Sequence, residues 1–121
     1  MTLERAREEL EKLARTTPGI YGVGLTVRNG DIKLVAYGRP LALRKIPNRI
    51  GEYEVEKRVM LRPPEAFRIF KRFNLVKMPR LALDYAKGIS RVTGLKLEEV
   101  LKSEPVKKYA KKLREEITFI E

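Results

Sequence analysis

The N-terminal residues carry an apolar stripe with the spacing of an α-helix. The stripe falls at i, i+3, i+7 and i+10, on Leu3, Ala6, Leu10 and Leu13. Thr2 stands before the stripe as a candidate N-cap, and a Thr-Pro-Gly sequence at residues 17–19 ends the pattern. The pattern predicts an amphipathic helix over residues 2–15. Acidic and basic residues balance on its polar side, which favours a solvated face over a binding site.

The next pattern is a pair of β-prone runs on either side of Asn29 and Gly30. This residue pair tolerates the positive φ angles of a type I′ turn, so it predicts a two-residue hairpin with a definite register. On the core side the facing pairs are Val27 with Ile32, Leu25 with Leu34 and Val23 with Ala36; on the other side they are Gly24 with Val35 and Gly22 with Tyr37. We interpret the gap above the two glycines as a packing feature, because no third glycine and no helix follow as a phosphate-binding loop requires.

A basic connection leads from the hairpin to a further strand. Residues 39–51 contain no acidic residue and four basic ones, Arg39, Arg44, Lys45 and Arg49. Two interpretations stay open: a clamp on phosphates, or a crossover held by the apolar residues Leu41, Leu43, Ile46 and Ile50. Residues 52–60 then alternate between apolar and charged, as a strand with one face in water does. We expect this strand to extend the hairpin into a three-stranded, mostly antiparallel sheet.

The C-terminal half shows helical patterns separated by Pro and Gly. The first predicted helix runs from Pro64 to about Phe73, the second covers residues 80–92, and the third covers residues 96–101. The last begins near Pro105, with Ser103 as its cap. The inward residues are predicted to be Leu81, Tyr85, Ile89 and Val92 in the second of these helices, and Val106, Tyr109, Ala110, Leu113 and Ile117 in the last. The fold is therefore predicted to be one α+β domain over residues 1–121, with an N-terminal helix, the sheet, and a helical C-terminal half packed on that sheet.

The composition removes several kinds of chemistry. The chain has no Cys and no His, which excludes disulfides, thiolate nucleophiles, and thiolate or imidazole metal ligands. It also removes the commonest general base near neutral pH. Neither a P-loop nor a serine triad is present. We expect no cofactor and no bound metal, and a non-enzymatic role is favoured.

The charge balance points to a polyanionic partner. The chain has 27 Lys and Arg against 16 Asp and Glu, for a net charge of +11. When Lys and Arg side chains neutralise phosphates, condensed counterions are released from the nucleic acid. An excess of positive charge therefore favours nucleic-acid binding most directly. The alternatives are anionic lipid, an acidic protein, or a basic protein that its charge merely keeps in solution.

Two further expectations follow from composition. Charged residues make up 36% of the chain and Gln is absent, a balance that is typical of heat-adapted proteins. No apolar run approaches the ~18 residues that span a bilayer, and the N-terminal MTLERAREEL lacks the features of a secretory signal. We therefore expect a cytoplasmic protein.

The basic residues of the C-terminal half form two predicted patches. The first contains Arg68, Lys71, Arg72, Lys77, Arg80, Lys87 and Arg91, and the second contains Lys107, Lys108, Lys111 and Lys112. The lysines of the second patch make two like-charge i, i+4 rows, which destabilise an isolated helix slightly unless nearby acids or a bound anion compensate. The phenylalanines between the bases of the first patch are interpreted as core, because they share the helical stripe that must cover the sheet.

Residues 89–101, ISRVTGLKLEEVL, resemble a helix-turn-helix core. Ser90 is the small residue, Gly94 follows four positions later at the turn, and Val100 comes six positions after that, with Ile89 and Leu95 as flanking apolar residues. The resemblance implies that the second helix enters the major groove of DNA. That helix presents Lys96 together with Glu98 and Glu99. The alternative is two helices that meet at a glycine.

A second resemblance concerns the acidic residues of the predicted sheet. Asp31 opens the second strand, and Glu54 and Glu56 lie on the third with Lys57 and Arg58. A leading helix, a hairpin and an acidic third strand resemble the core of restriction-endonuclease-like nucleases, in which an Asp and an E-x-K motif hold a divalent metal. Here Arg58 stands where that motif has Lys. The alternative is an outward acidic face paired with neighbouring bases.

The sequence favours a non-enzymatic nucleic-acid-binding accessory protein, with DNA as the favoured ligand, whose basic helices contact phosphates. Such contacts position a protein on nucleic acid without reading its bases, so no sequence specificity is implied. A protein-interaction or structural subunit with an acidic partner is the main alternative, and a metal-dependent nuclease is a lesser one. The choice between DNA and RNA and the oligomeric state stay open.

Overall fold

The computed structural model describes residues 1–63, 77–113 and 115–120. The helices are α1 (Leu3–Thr16), α2 (Pro40–Leu43), α3 (Arg80–Thr93), α4 (Leu97–Leu101) and α5 (Glu104–Lys112). The strands are β1 (Ile20–Arg28), β2 (Asp31–Gly38), β3 (Arg49–Ile50), β4 (Tyr53–Val59), β5 (Lys77–Met78) and β6 (Glu116–Phe119). The α+β class is confirmed. The helix predicted from Pro64 lies outside the described residues.

The sheet differs from the prediction in size and direction. Strands β4, β2, β1, β6 and β5 form a mixed five-stranded sheet in that spatial order, and the two-residue β3 pairs along the outer edge of β4. Strand β4 runs parallel to β2, with Leu34 opposite Val55 and Gly38 opposite Val59. The prediction of three mostly antiparallel strands was therefore wrong. Two neighbouring parallel strands are joined by a crossover rather than by a tight turn. The sequence of that connection does not indicate in which direction the next strand runs.

The hairpin of β1 and β2 follows the predicted register. Val27 faces Ile32, Leu25 faces Leu34 and Gly24 faces Val35. Asn29 and Gly30 have φ angles of 51° and 83°, which a two-residue turn of this kind requires. The local turn chemistry therefore fixes which side chains face each side of the sheet.

The connection between β2 and β4 is a crossover. Helix α2 and β3 lie within it, and its buried apolar residues are Ala42, Leu43, Ile46 and Ile50. Leu41 is exposed, so only part of the predicted apolar set is used. Among its basic residues, Arg39 donates a hydrogen bond to the Tyr21 hydroxyl at 2.8 Å. The connection is thus a crossover, while a phosphate clamp formed by its basic residues stays a prediction.

One face of the sheet is covered by α1 and α2. The buried core of this side contains Ala6, Leu10, Ala14, Ile20, Val23, Leu34, Ala36, Ala42, Leu43, Ile46, Ile50, Val55 and Ile120. The Thr2 side chain accepts a hydrogen bond from the Arg5 backbone N–H at 3.2 Å, which confirms the predicted N-cap. Within α1 the stripe includes Ala14, while Leu13 is partly exposed.

The opposite face supports the C-terminal helices. Val35, Tyr37 and Ile117 form one buried cluster on this face, with Phe119 against it. Phe119 also packs on a second cluster that joins the three helices, Leu83, Ala86, Leu97, Val100, Leu101 and Val106. The sheet is therefore a central layer with helices on both sides.

Two predictions in the C-terminal half were wrong. The buried side of α3 consists of Ala82, Leu83 and Ala86, whereas Tyr85 is 42% and Val92 87% exposed. Leu83 and Ala86 pack against the two following helices, and of the residues predicted to point inward Ile89 packs against the same cluster. The last helix also ends earlier than predicted, so that Ile117 belongs to strand β6 rather than to the helix.

Strand β6 lies beside β1 at the glycine gap. A Cβ atom placed on Gly24 would stand 1.8 Å from the Glu116 carbonyl oxygen, and one placed on Gly22 would stand 3.1 Å from the Ile117 side chain. Position 24 therefore excludes any side chain. The predicted interpretation of the glycines as a packing feature holds, and the strand that fills the gap comes from the far end of the sequence.

None of the helices in the described ranges combines the length and the apolar composition needed to cross a bilayer.

Candidate nucleic-acid interface

The structure places only part of the first predicted patch. Arg68, Lys71 and Arg72 lie outside the described residues. Lys77 belongs to the short strand β5, of which the structure describes the backbone. The convergence of these four residues with the rest of the patch stays a prediction.

The α3 members of the first patch differ in their surroundings. Arg80 lies 3.9 Å from the Asp84 carboxylate, and its guanidinium stands 5.3 Å above the centre of the Tyr37 ring. Arg80 is therefore engaged within the fold. Lys87 is partly exposed, and Arg91 is exposed in the last turn of the helix. Lys87 and Arg91 leave their charges available to a ligand.

The second patch lies entirely on one helix surface. Val106 is the buried residue of α5, and the exposed side of the helix carries Lys107, Lys108, Lys111 and Lys112. Across the ranges that the structure describes, no carboxylate comes within 4 Å of these four lysines; the ion pairs formed elsewhere use other bases. Like charges so close together repel each other, so this surface attracts anions.

Helices α3 and α5 are joined by an aromatic contact. The ring centres of Tyr85 and Tyr109 are 4.7 Å apart, with a 42° angle between the ring planes. Tyr109 is 37% exposed, and the exposed Lys108 and Lys112 flank it on α5. The sequence assigned both tyrosines to the core. The structure instead brings aromatic surface and lysine side chains together at one place.

A buried polar network lies under α3, and the sequence did not reveal it. Arg58 on β4 contacts the Glu56 carboxylate at 2.5 Å and the Glu115 carboxylate at 2.6 Å. It also donates hydrogen bonds to the Tyr37 hydroxyl and, at 3.4 Å, to the Thr26 hydroxyl. A signal that could have indicated it is Tyr37, because the predicted register places its polar hydroxyl on the glycine side of the hairpin.

The network changes the ionisation of its members. Burial raises the pKa of Tyr37 to about 12, although the positive charges of Arg58 and Arg80 act in the opposite direction. Burial disfavours the charged form of Arg58, but hydrogen bonds to Glu115, Tyr37 and Glu56 outweigh that effect and raise its pKa. Both groups therefore keep their protons throughout the physiological range, and the network holds the fold.

The acidic residues of the nuclease resemblance are occupied separately. Glu56 pairs with Arg58, while Glu54 lies 3.1 Å from both Lys33 and Arg49. The hydrogen bond from Lys33 is the largest cause of the lowered pKa of Glu54. The described residues contain no group of three or more acidic side chains placed to hold a metal ion. Asp31, Glu54 and Glu56 are thus not brought together, and the alternative of acids paired with neighbouring bases fits the structure.

The helix-turn-helix resemblance corresponds to the junction of α3 and α4. Gly94 ends α3 with a left-handed φ of 75°, and the Ser90 hydroxyl donates to the Leu95 carbonyl at 2.7 Å. The following helix, α4, has five residues, and both Glu98 and Glu99 lie in its first turn. The junction is present, but negative charge at the start of α4 opposes the approach of a phosphate backbone.

The candidate interface consists of the four lysines of α5 and the exposed tyrosine pair. We name this surface the α5 face, and its residues are Lys107, Lys108, Lys111, Lys112, Tyr85 and Tyr109. Comparison of the chain with protein-family models, with curated proteins and with solved structures gave no match.

Proposed function

We propose that the protein binds nucleic acid, with DNA as the favoured ligand, by contacting phosphates through the basic residues of its C-terminal helices. The role is that of a non-enzymatic accessory protein. The observation that carries the proposal is the row of four exposed α5 lysines, which have no carboxylate partner among the described residues, in a chain of net charge +11.

Interactions within the helix itself explain only part of that row of lysines. Lys111 and Lys112 lie in the last turn of α5, where positive side chains interact favourably with the helix dipole. Lys107 and Lys108 lie in the middle of the helix, where the dipole contributes little. A polyanion on the α5 face favours all four lysines, which is why the proposal extends to the whole row.

The salt dependence of DNA binding tests the proposal. We expect the protein to bind a labelled DNA in fluorescence anisotropy, with a log K that falls steeply and linearly as log salt rises. Replacing Lys108 and Lys112 with Ala should reduce the slope by about 2, because each lost phosphate contact removes ~0.9.

A control of equal charge change is available on α1. Lys12 and Arg15 are exposed on that helix, on the other side of the sheet from α5. Lys12→Ala with Arg15→Ala should leave the slope almost unchanged. An equal loss in both double variants would show that net charge alone acts, and absence of any DNA or RNA binding in dilute buffer would leave an acidic protein as the partner to seek.

Heat adaptation and a cytoplasmic location are further proposals that rest on composition alone. Reversible unfolding above about 70 °C would support the first, since domains from moderate-temperature organisms melt at about 45–65 °C. Fractionation of the source cells tests the second.

A further inference from the structure

The tyrosine pair of the α5 face presents aromatic surface beside positive charge. Tyr85 is 42% and Tyr109 37% exposed, even though each packs against the other. A tyrosine combines a large apolar ring with a polar hydroxyl, so a partly exposed pair can join two helices and still contact a ligand. Tyr109 lies about one turn of helix away from the exposed Lys112.

Gly88 leaves the backbone of α3 uncovered next to Tyr85. A glycine inside a helix costs about 1 kcal/mol relative to alanine. The described part of the chain shows no compensation for this one: no described atom lies within 4 Å of a Cβ atom placed at position 88, and the φ angle is ordinary. The other seven glycines each have a positive φ or a close neighbour. In a helix, a side chain at position 88 would lean back towards the turn that contains Tyr85.

We propose that Tyr85 and Tyr109 form a stacking platform for the bases of single-stranded nucleic acid, whose phosphates contact the lysines of the α5 face. This inference rests on the proposed function and names its ligand class. Gly88 keeps the approach to Tyr85 open, so that a flat base can lie against the helix backbone.

Single strands fit this surface better than a duplex does. In a duplex the ring faces of the bases are stacked on one another, and only their edges and the phosphates are accessible. In a single strand the bases are free to stack on aromatic side chains, while the backbone follows a positively charged groove. An exposed aromatic pair flanked by lysines provides both contacts within one site.

The contribution of stacking is large enough to measure. Base stacking on an aromatic side chain typically changes affinity by roughly 10- to 100-fold when the ring is removed. Tyr85→Leu and Tyr109→Leu keep apolar bulk between α3 and α5 while removing the ring. We expect each to weaken binding of an oligothymidylate by about tenfold, with little change for a duplex of equal length.

Gly88→Ala provides a test that does not depend on a weakened fold. Alanine should stabilise α3, because no described atom obstructs its Cβ atom and it is the better helix former. We expect the melting temperature to rise while affinity for oligothymidylate falls. Opposite changes in stability and binding would identify position 88 as part of the ligand site.

The matched aromatic control is Tyr21→Leu. Tyr21 is partly buried on β1, and its hydroxyl contacts Arg39 rather than α3 or α5. This variant should bind oligothymidylate as the parent protein does. Because the chain has five tyrosines and no tryptophan, tyrosine fluorescence reports stacking directly, and the quenching seen on binding should shrink in Tyr85→Leu and Tyr109→Leu alone.

The results separate this inference from the proposed function. Equal affinity of both tyrosine variants and the parent for oligothymidylate, with salt-dependent binding intact, would overturn the platform and leave phosphate binding standing. Binding of the duplex in preference to the single strand would do the same. If the parent protein binds neither DNA nor RNA in dilute buffer, the proposed function itself fails.

Discussion

At the scale of single residues, Tyr37 shows how one buried hydroxyl depends on its neighbours. The residue is 2% exposed, accepts a hydrogen bond from Arg58, and lies under the guanidinium of Arg80. The positive charges of Arg58 and Arg80 attract the negative tyrosinate form of this residue. The loss of hydration outweighs that attraction, so the neutral phenol is the form that the fold selects.

This preference makes stability depend on alkaline pH. The pKa of Tyr37 is about 12 in the folded protein and ~10 in an unfolded chain. The stabilisation from the neutral form is therefore complete below pH 10 and is lost as the pH rises from 10 to 12, because only the unfolded chain releases its proton there. The loss should reach about 2–3 kcal/mol.

Urea unfolding at several pH values measures the effect. Lysines titrate in the same range, so the relevant quantity is the difference between the parent protein and Tyr37→Phe. The parent should lose more stability than the variant between pH 10 and 12. Parallel stability curves for the two proteins would contradict the assignment.

At the scale of elements, the sequence predicts the features that residues close together along the chain determine. The β1–β2 register follows from Asn29 and Gly30 alone, and the N-cap of α1 follows from Thr2 and the stripe after it. Strand β6 was assigned to a helix, because Ile117 lies four residues after Leu113 and so continues the helical stripe. Its true role depends on β1, a partner far away in sequence, which no local pattern identifies.

The rotation of α3 has a similar cause. Large apolar residues at helical spacing indicated one side, but alanines and one leucine form the buried side, and Leu83 and Ala86 pack against the two following helices. A pattern of large apolar residues does not show where a small side chain such as alanine is buried against a neighbouring helix. The basic half of the α5 face could be predicted from composition and spacing. Its aromatic half could not, because Tyr85 and Tyr109 fall on the apolar helical stripes that predict core positions.

Two substitutions on α3 test which side of this helix is buried, the side that was predicted or the side that is observed. Ala86 is fully buried, so Ala86→Leu should destabilise the protein by about 1–3 kcal/mol through overpacking. Val92 is almost fully exposed, and Val92→Ala should change the free energy of unfolding by no more than ~0.5 kcal/mol. Chemical denaturation measures both. A large cost at Val92 with none at Ala86 would restore the orientation first expected.

At the scale of the whole molecule, Arg58 connects four segments that lie far apart in the sequence. It lies on β4, reaches Tyr37 on β2 and Thr26 on β1, and pairs with Glu115 just before β6. The Arg58 and Glu115 side chains are only 13% and 9% exposed. Removing one partner of such a pair leaves a buried charge without compensation.

Arg58→Leu should therefore cost about 3 kcal/mol or more in the free energy of unfolding. The matched control is Arg49→Leu, because Arg49 pairs with Glu54 at 3.1 Å but is 63% exposed. An exposed pair contributes at most ~1 kcal/mol. Urea denaturation of both variants gives the comparison, and similar costs for the two would refute a central role for the buried network.

The position of β6 also has a consequence for the growing polypeptide. The inner edge of β1, with its bare glycine positions, obtains a partner only from residues near the far end of the sequence. During translation that edge lacks its partner until residues 116–119 have been synthesised, and until then it is open to strands of neighbouring nascent chains. The net charge of +11 means that two such chains repel each other, which opposes that pairing.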